Sequence, residues 1–360
     1  MNSVRVLVIG GGVAGAACAI ELRKRGIEVT LAERDPFPRI KVCGCCLGGA
    51  GIRLLEQTGV LPAVRAVSAD THTWRGYLDG RLIEIPSGDG IAVSREHLDP
   101  ILIAEAKRLG TDVLQPCEAA IVDTPSNQVQ AKLGSQVQPF DCVVIAAGLK
   151  SGNVGGRLPW IETPHGPFGM SVMATSTRID RGVIYMACDD EGYVGLVQLD
   201  DGRVDVAAAL RPLLGSSKTI TLMQRVRNML DRSGVDVDLD PIGNVLTTPP
   251  LRRTRQSGNG RVIAIGDASG YVEPFTGEGM TWALQSGKEA AQLIDTCRLD
   301  LLGLGERWNQ HSRTMLATKK RTCRIVTTAL RSRTARQVAA RTLGIFPGIA
   351  RPLITQLNKA

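Results

Sequence analysis

Aromatic residues are scarce in this sequence, at 4%, and there are only four histidines among 360 residues. His72, His97, His165 and His311 share no metal-ligand or triad spacing. Neither Ser269 nor Ser286 sits in a G-x-S-x-G turn, which argues against hydrolysis. No stretch holds the roughly 20 uninterrupted apolar residues of a membrane-spanning helix. The N-terminus does not order a basic region, an apolar core and a cleavage site as a secretion signal does. A cytoplasmic chain is therefore expected, and its nine cysteines, an odd number, read as reduced thiols. Cys43, Cys45 and Cys46 are crowded but lack zinc or iron–sulfur spacing, so no metal is expected. Internal repeats and low-complexity segments are absent as well.

Glycine, by contrast, is plentiful. The 40 glycines cluster beside apolar runs, as tight turns and close backbone approach to a ligand require. The length implies two joined domains and an appendage. Charge is divided unevenly: residues 298–360 hold ten Arg and three Lys against Asp300 and Glu306, a net +11, which leaves −3 for residues 1–297. The basicity belongs to the tail, so the main body shows no footprint for nucleic acid.

Apolar residues 4–9 precede Gly10, Gly11, Gly12, Val13, Ala14 and Gly15, and a helical pattern follows to Arg25; residues 28–32 read as a second strand. This is a βαβ opening. Asp79-Gly80 marks a hairpin turn between strands at 73–77 and 81–85. A helix is expected over 95–109, with strands at 112–114, 119–122 and 141–146 returning to the first sheet. Strands at 170–177, 183–187, 193–199 and 204–210 follow without helices between them, which suggests an antiparallel sheet. A helix over 219–232 should pack on it. A strand at 261–265 and a helix over 277–294 then revisit the first domain, and a basic, helical tail follows.

Gly10, Gly12 and Gly15 form a G-x-G-x-x-G between strand and helix, the setting in which that motif binds a dinucleotide. Gly10 permits the turn, Gly12 lets backbone approach a pyrophosphate, and Gly15 lets helix and strand pack closely. The helix start, with Val13 and Ala14, offers free amides to phosphate. Glu33, 18 residues beyond Gly15, closes the second strand where a carboxylate accepts ribose hydroxyls. NAD and FAD both satisfy this pattern.

The far segment decides between them. Residues 261–291, RVIAIGDASGYVEPFTGEGMTWALQSGKEAA, resemble the second FAD fingerprint of the flavoprotein monooxygenase and geranylgeranyl reductase superfamily. The resemblance implies that Asp267, after Gly266, bonds the ribityl chain of FAD, and that the stretch from Pro274 through Gly277 and Gly279 to Met280 presents amides to the flavin. Residues 37–47, FPRIKVCGCCL, resemble that group's F-P-R-x-K-x-C-G-x-x-L segment, which runs along FAD towards the active site. By that likeness Arg39 or Lys41 offsets phosphate charge, and Cys43, beside Gly44, lies near the isoalloxazine ring as the candidate catalytic residue. Arg95 matches an R-x-x-L-D stretch whose Arg contacts cofactor, and Ala146, Ala147, Gly148 and Ser151 match a strand-end A-x-G-x-x-S. Arg34, next to Glu33, joins the cofactor-binding set. Asn153-Val154-Gly155 stands where many hydroxylases carry an Arg, and Tyr193-Val194-Gly195-Leu196-Val197-Gln198-Leu199 lacks the Trp, Phe and Pro of the reductases' Y-x-W-x-F-P motif.

The implied architecture is α/β: a Rossmann-type FAD-binding domain of the GR2-like kind over 1–72, 92–165 and 250–300, an inserted antiparallel β-sheet substrate domain over 73–91 and 166–249, and a basic helical region over 301–360. The implied function is an FAD-dependent oxidoreductase acting on a hydrophobic small molecule in the manner of geranylgeranyl reductases. NADH or NADPH is expected as a visiting donor, since no second glycine-rich nucleotide domain is visible. A monooxygenase acting on an aromatic, polyketide or lipid substrate and an FAD-binding electron carrier are the alternatives; the tryptophan motif of flavin halogenases is absent. Met170, Val172, Met173, Tyr185, Val194, Leu196 and Phe275 are expected to line the substrate pocket. The tail is expected either to cover the FAD domain or to touch an anionic membrane.

Overall fold

The computed structural model describes residues 4–78, 80–123, 127–151, 157–162, 166–213, 220–271, 277–315, 317–330, 332–346 and 348. The strand Arg5–Ile9 sits inside a six-stranded sheet, flanked by parallel partners Glu28–Ala32 and Cys142–Ile145. Asp112–Leu114 extends the sheet on one side, and Val262–Ala264 with the short antiparallel Gly258–Asn259 on the other. Both faces of this sheet are covered, so its strands are apolar without alternation. Val6 and Val8 pack against helices Val13–Lys24, Arg95–Arg108 and Gly279–Thr296, whereas Leu7 and Ile9 face a small three-stranded sheet.

That second cover corrects the sequence reading. The segment Ala119–Asp123, expected to rejoin the first sheet, pairs instead with Val129–Leu133, which turns at Gly134 into Gln136–Phe140. Ile121, Val129, Ala131, Leu133 and Phe140 supply one apolar face to the main sheet.

The inserted sheet has eight strands: Asp240–Pro250, Phe168–Thr175, Val204–Leu210, Gly192–Gln198, Val183–Asp189, Ala69–Leu78, Arg81–Ala92 and Cys46–Leu47, in spatial order. Its pairings are antiparallel except one. Val183–Asp189 lies parallel to Ala69–Leu78, with Val183 opposite Thr73, and this seam joins the early hairpin to the later run of strands. Asp79, half of the expected hairpin turn, lies outside the described residues. The strand Asp240–Pro250 was not anticipated, because Pro241, Gly243 and the pair Pro249-Pro250 read as breakers. Among the described residues it pairs with one neighbour only, through a ladder with two register shifts, the setting in which a strand tolerates proline. Helix Leu222–Ser233 covers one face; Thr221 caps it in a capping box with Gln224, and Gly234 ends it in the left-handed conformation.

The tail forms helices Leu304–Met315, Ala317–Leu330 and Arg333–Ile345. The first lies on the Rossmann sheet, where the buried Trp308 donates its indole N–H to the Ala264 carbonyl at 2.8 Å. The cover is not confined to that domain. Ala340 and Leu343 of the last helix pack with Leu78, Ile83, Ile85, Trp74 and Tyr193 of the eight-stranded sheet. Arg336, buried in the same helix, is paired with Asp190 at 2.7 Å. Among the described residues no helix is long and apolar enough to cross a membrane.

Candidate active site

The site begins at the end of strand Arg5–Ile9. Gly10 has φ +108°, and a Cβ there would strike the Ala146 carbonyl oxygen at 2.6 Å. A Cβ on Gly15 would lie 1.9 Å from the Gly10 oxygen, so helix Val13–Lys24 and its strand touch through glycine. At Gly12 the added atom would meet Arg95 Nη2 at 3.2 Å and Lys41 Nζ at 3.3 Å. Two cationic side chains thus stand over the free amides of the helix start, a donor set suited to a pyrophosphate.

Both cations are anchored on one carboxylate. Asp99 has no solvent exposure, accepts two hydrogen bonds from Arg95 at 2.7 and 2.8 Å, and lies 3.4 Å from Lys41. Burial, reinforced by the neighbouring Arg95, lowers the Lys41 ammonium to about 8. Asp99 opposes that shift, but its carboxylate is shared with Arg95. Glu33, also buried, accepts from the Gly11 amide at 2.8 Å, the Asp35 amide at 2.9 Å and Arg39 at 2.8 Å. Its oxygens retain lone pairs for ribose hydroxyls. Arg39 also pairs with Asp35 and stacks on Phe37, and Arg34 is paired with Asp35 at the same end of the cavity.

The second glycine-containing segment meets the first in space. Gly266, at φ +56°, opens a 3₁₀ turn over Gly266–Ser269 and comes so close to Ala14 that a Cβ would lie 2.8 Å from the alanine methyl. Its amide donates to Ser286 Oγ at 3.0 Å, while Gly287 presses helix Gly279–Thr296 onto the Ala14 carbonyl. Asp267, Gly277, Gly279 and Met280 line the same cavity as Gly10, Gly12, Val13 and Ala14. Ala147, Gly148, Gly44 and Cys43 line it as well. Pro274 and Phe275 lie outside the described residues, as does Asn153-Val154-Gly155. These residues fit FAD: the helix start with Lys41 and Arg95 would hold the pyrophosphate, Glu33 the adenosine ribose and Asp267 the ribityl chain. Ser151 also lines the cavity and anchors Arg255, accepting its guanidinium through both the backbone oxygen, at 3.1 Å, and Oγ, at 2.9 Å.

The cavity, about 740 Å³, continues past Cys43 to the inserted sheet. Here three of the expected pocket residues are turned away. Val172, Tyr185 and Val194 point to the opposite face, into a core with Val226, Met229 and Leu230 of helix Leu222–Ser233. Met170 and Leu196 border the cavity but are packed in that same core. Met173, paired opposite Asp205, lies on the cavity-side face but is buried with Cys45, Val197 and Leu199. Successive side chains in a strand alternate, so the cavity takes the other parity: Ile184, Met186, Tyr193, Gly195, Val197, Ala207 and Ala209. Trp74 joins them, its ring folded across Gly76, where a Cβ would come within 2.1 Å of it. The buried Asp205 lines this face too, and the buried Ser171, paired opposite Ala207, shares it.

Cys43 stands where the two parts of the cavity join. A hydrogen bond from the Cys45 thiol lowers Cys43 to about 7; burial opposes the shift, and Arg95 and the Cys45 amide, 3.4 Å from the sulfur, assist it. The bond to Cys43, and burial, raise Cys45 well above the usual thiol range, and burial raises Cys46. Cys45 itself adopts φ +53°. Among the described residues no cluster of His, Cys, Asp and Glu is arranged to hold a metal.

Comparison with known proteins agrees with this geometry. The FAD binding domain family matches residues 3–147. Digeranylgeranylglycerophospholipid reductase 1 of Methanopyrus kandleri is 25% identical over 337 residues, covering 86% of each chain. Menaquinone reductase of Mycobacterium tuberculosis is 27% identical over 329 residues, covering 82% of this chain and 77% of the relative. Among solved structures, p-nitrophenol 4-monooxygenase PnpA from Pseudomonas putida superposes with a TM-score of 0.78 at 15% identity, covering 99% of each chain. The flavin-dependent brominase Bmp2 superposes with a TM-score of 0.79 at 16% identity, covering 99% of this chain and 94% of that one.

Proposed function

We propose that this FAD-dependent oxidoreductase reduces a carbon–carbon double bond in a long apolar substrate of the isoprenoid class, using NADH or NADPH as a donor that visits and leaves. One observation carries the reading: a single cavity runs from the cationic cradle, past a near-neutral thiol, to a chamber walled by Ile184, Met186, Val197, Ala207 and Ala209. The names of the two curated relatives, a prenylated-lipid reductase and a menaquinone reductase, point to the same substrate class.

FAD, once bound and reduced by NAD(P)H, would supply the hydride. The protein's part is to exclude water from the apolar chamber and to give a proton to the second carbon. Cys43, which lines the cavity, is the proposed donor, and it must be a thiol to act so. Double-bond reduction is therefore expected to fall as pH rises through about 7. Cys43→Ser, with a far weaker acid at the same place, should slow it on the order of a hundredfold or more while flavin reduction by NAD(P)H persists. The assay is anaerobic turnover of a geranylgeranyl lipid, read by mass spectrometry as a gain of two hydrogens per bond. A product hydroxylated only in the presence of oxygen would make the chain a monooxygenase, and absence of turnover across prenylated lipids and quinones would favour an electron carrier.

A second element of the proposal is access to the substrate from a membrane surface. The tail exposes Ile325, Val338, Ile345 and Phe346 together with Arg321, Arg333 and Arg341, and its last helix backs Trp74 and Tyr193 of the chamber wall. Wild-type protein is expected to pellet with anionic vesicles, and the double variant Ile345→Glu, Phe346→Glu to remain in the supernatant. Equal pelleting would remove this element and leave the reductase reading intact.

A further inference from the structure

The chamber floor carries small side chains on one side of the sheet and is closed by large ones on the other. Across the ladders its middle row runs from Ala207 to Gly195, then Met186 and Gly76. Gly195 and Gly76 have no side chain of their own, and each is overlain by a neighbour's. A Cβ on Gly195 would lie 3.0 Å from Met186 Sδ, and one on Gly76 would lie 2.1 and 2.3 Å from two carbons of the Trp74 benzo ring. The edge of the indole therefore rests on Gly76, where any side chain would hold it off the sheet. Behind it, Ala340 and Leu343 of helix Arg333–Ile345 pack with Leu78, Ile83 and Ile85. Trp74 lines the cavity, and those five residues do not. The indole is thus the partition between the chamber and the tail helix. Three inter-strand spacings, roughly 14 Å in all, separate the strand of Ala207 from the strand that carries Trp74.

We propose that Trp74 is the end stop of the chamber and fixes the length of apolar chain that the enzyme accepts. The inference rests on the reading above that the substrate is a long apolar chain, and it deepens that reading. Trp74 acts as a specificity determinant and takes no part in hydride or proton transfer. A chain laid over Ala207 and Gly195 meets the indole, and the close-packed cluster behind the ring leaves no room for further methylenes. Trimming the ring lengthens the chamber. Gly76 sets the position of the ring: a methyl there strikes the benzo edge, and with Ala340, Leu343 and Ile83 packed behind it the open direction is the chamber. Substitutions at the two positions are therefore expected to act in opposite directions.

The test uses the FAD-loaded enzyme and a series of prenyl alcohols that differ by one isoprene unit. Two quantities are read: kcat/KM for double-bond reduction, and the dissociation constant of each saturated counterpart from the change in flavin absorbance on binding. Trp74→Ala should move both optima to chains at least one isoprene unit longer, and raise kcat/KM for such a chain on the order of tenfold. Trp74→Phe should give a smaller shift of the same sign. Gly76→Ala should move the optima to shorter chains, and the double variant should behave as Trp74→Ala alone, because the methyl then has no indole to displace. Flavin content shows that each variant is folded. Unshifted optima in flavin-loaded Trp74→Ala, equal loss at every length, or a Gly76→Ala shift that persists without the indole overturns the inference while the reductase reading stands. If the saturated alcohols show the expected shifts but no double bond is reduced, the reductase reading fails and the end stop remains. If wild type binds none of the alcohols, the end stop fails.

Discussion

Gly15→Ala is expected to give a colourless protein that takes up no FAD. The added methyl would lie 1.9 Å from the Gly10 carbonyl oxygen and 3.0 Å from the Ala146 side chain, so helix Val13–Lys24 must move off its strand by more than an ångström. That movement opens the contact in which Gly266 and Gly287 sit against Ala14, and with it the join between the two halves of the cofactor site. Overpacking of this kind costs about 1–3 kcal/mol in stability. The loss of cofactor affinity is greater, because the amides at the helix start lose their aim. Gly49→Ala, where the nearest atom is an arginine nitrogen at 3.5 Å, serves as the control and should remain yellow. Flavin absorbance after FAD addition and gel filtration checks both; a yellow Gly15→Ala protein with wild-type affinity would mean that the glycine loop is not the cradle.

FAD affinity is expected to be level below pH 8 and to weaken above it. In the protein without a bound anion, Lys41 loses its proton at about 8. A pyrophosphate beside it stabilises the ammonium and raises that value, so the complex holds more protons than its separated parts. Binding above pH 8 must then take up a proton, and the dissociation constant should climb about tenfold per pH unit until the raised value is reached. Lys41→Met should weaken binding at pH 7 on the order of tenfold or more, the loss of a charge-assisted hydrogen bond, and flatten the dependence. Fluorescence titration at pH 7 and pH 9.5 checks this, together with calorimetry in buffers of different ionisation enthalpy. Equal wild-type constants at the two pH values, with no proton uptake, would place Lys41 away from the phosphates.

The two ends of the site were readable for a physical reason. A strand, a glycine turn and a helix start must be contiguous in sequence to cradle a phosphate, so the strand Glu28–Ala32 and the helix starting at Val13 follow from spacing alone. The substrate chamber has no such contiguity. Its strands are apolar on both faces, one packed under helix Leu222–Ser233 and the other lining the cavity, so period-2 alternation vanishes and Val172, Tyr185 and Val194 could not be told from their neighbours. Two signals were present. The small residues Gly195, Ala207 and Ala209 leave room on one parity, and Asp205, isolated in the otherwise apolar strand VDVAAAL, shares it. The edge strand Asp240–Pro250 and the small sheet from Ala119 to Phe140 were obscured by proline and glycine, whose meaning depends on whether a strand has one partner or two.

The parallel seam within the eight-stranded sheet, Thr73 opposite Val183, bears on how the chain is born. More than a hundred residues separate the two sides, so the early hairpin leaves the ribosome with its Ala69–Leu78 edge bare and waits for the rest of its sheet to be synthesised. Non-local pairing of this sort is slow and exposes strand edges to other chains meanwhile. The Rossmann core, itself completed only when Val262–Ala264 joins it, and the sheet beside it thus mature together, late in translation. Yield in recombinant expression should accordingly depend on temperature and chaperone supply more than on the stability of the finished molecule.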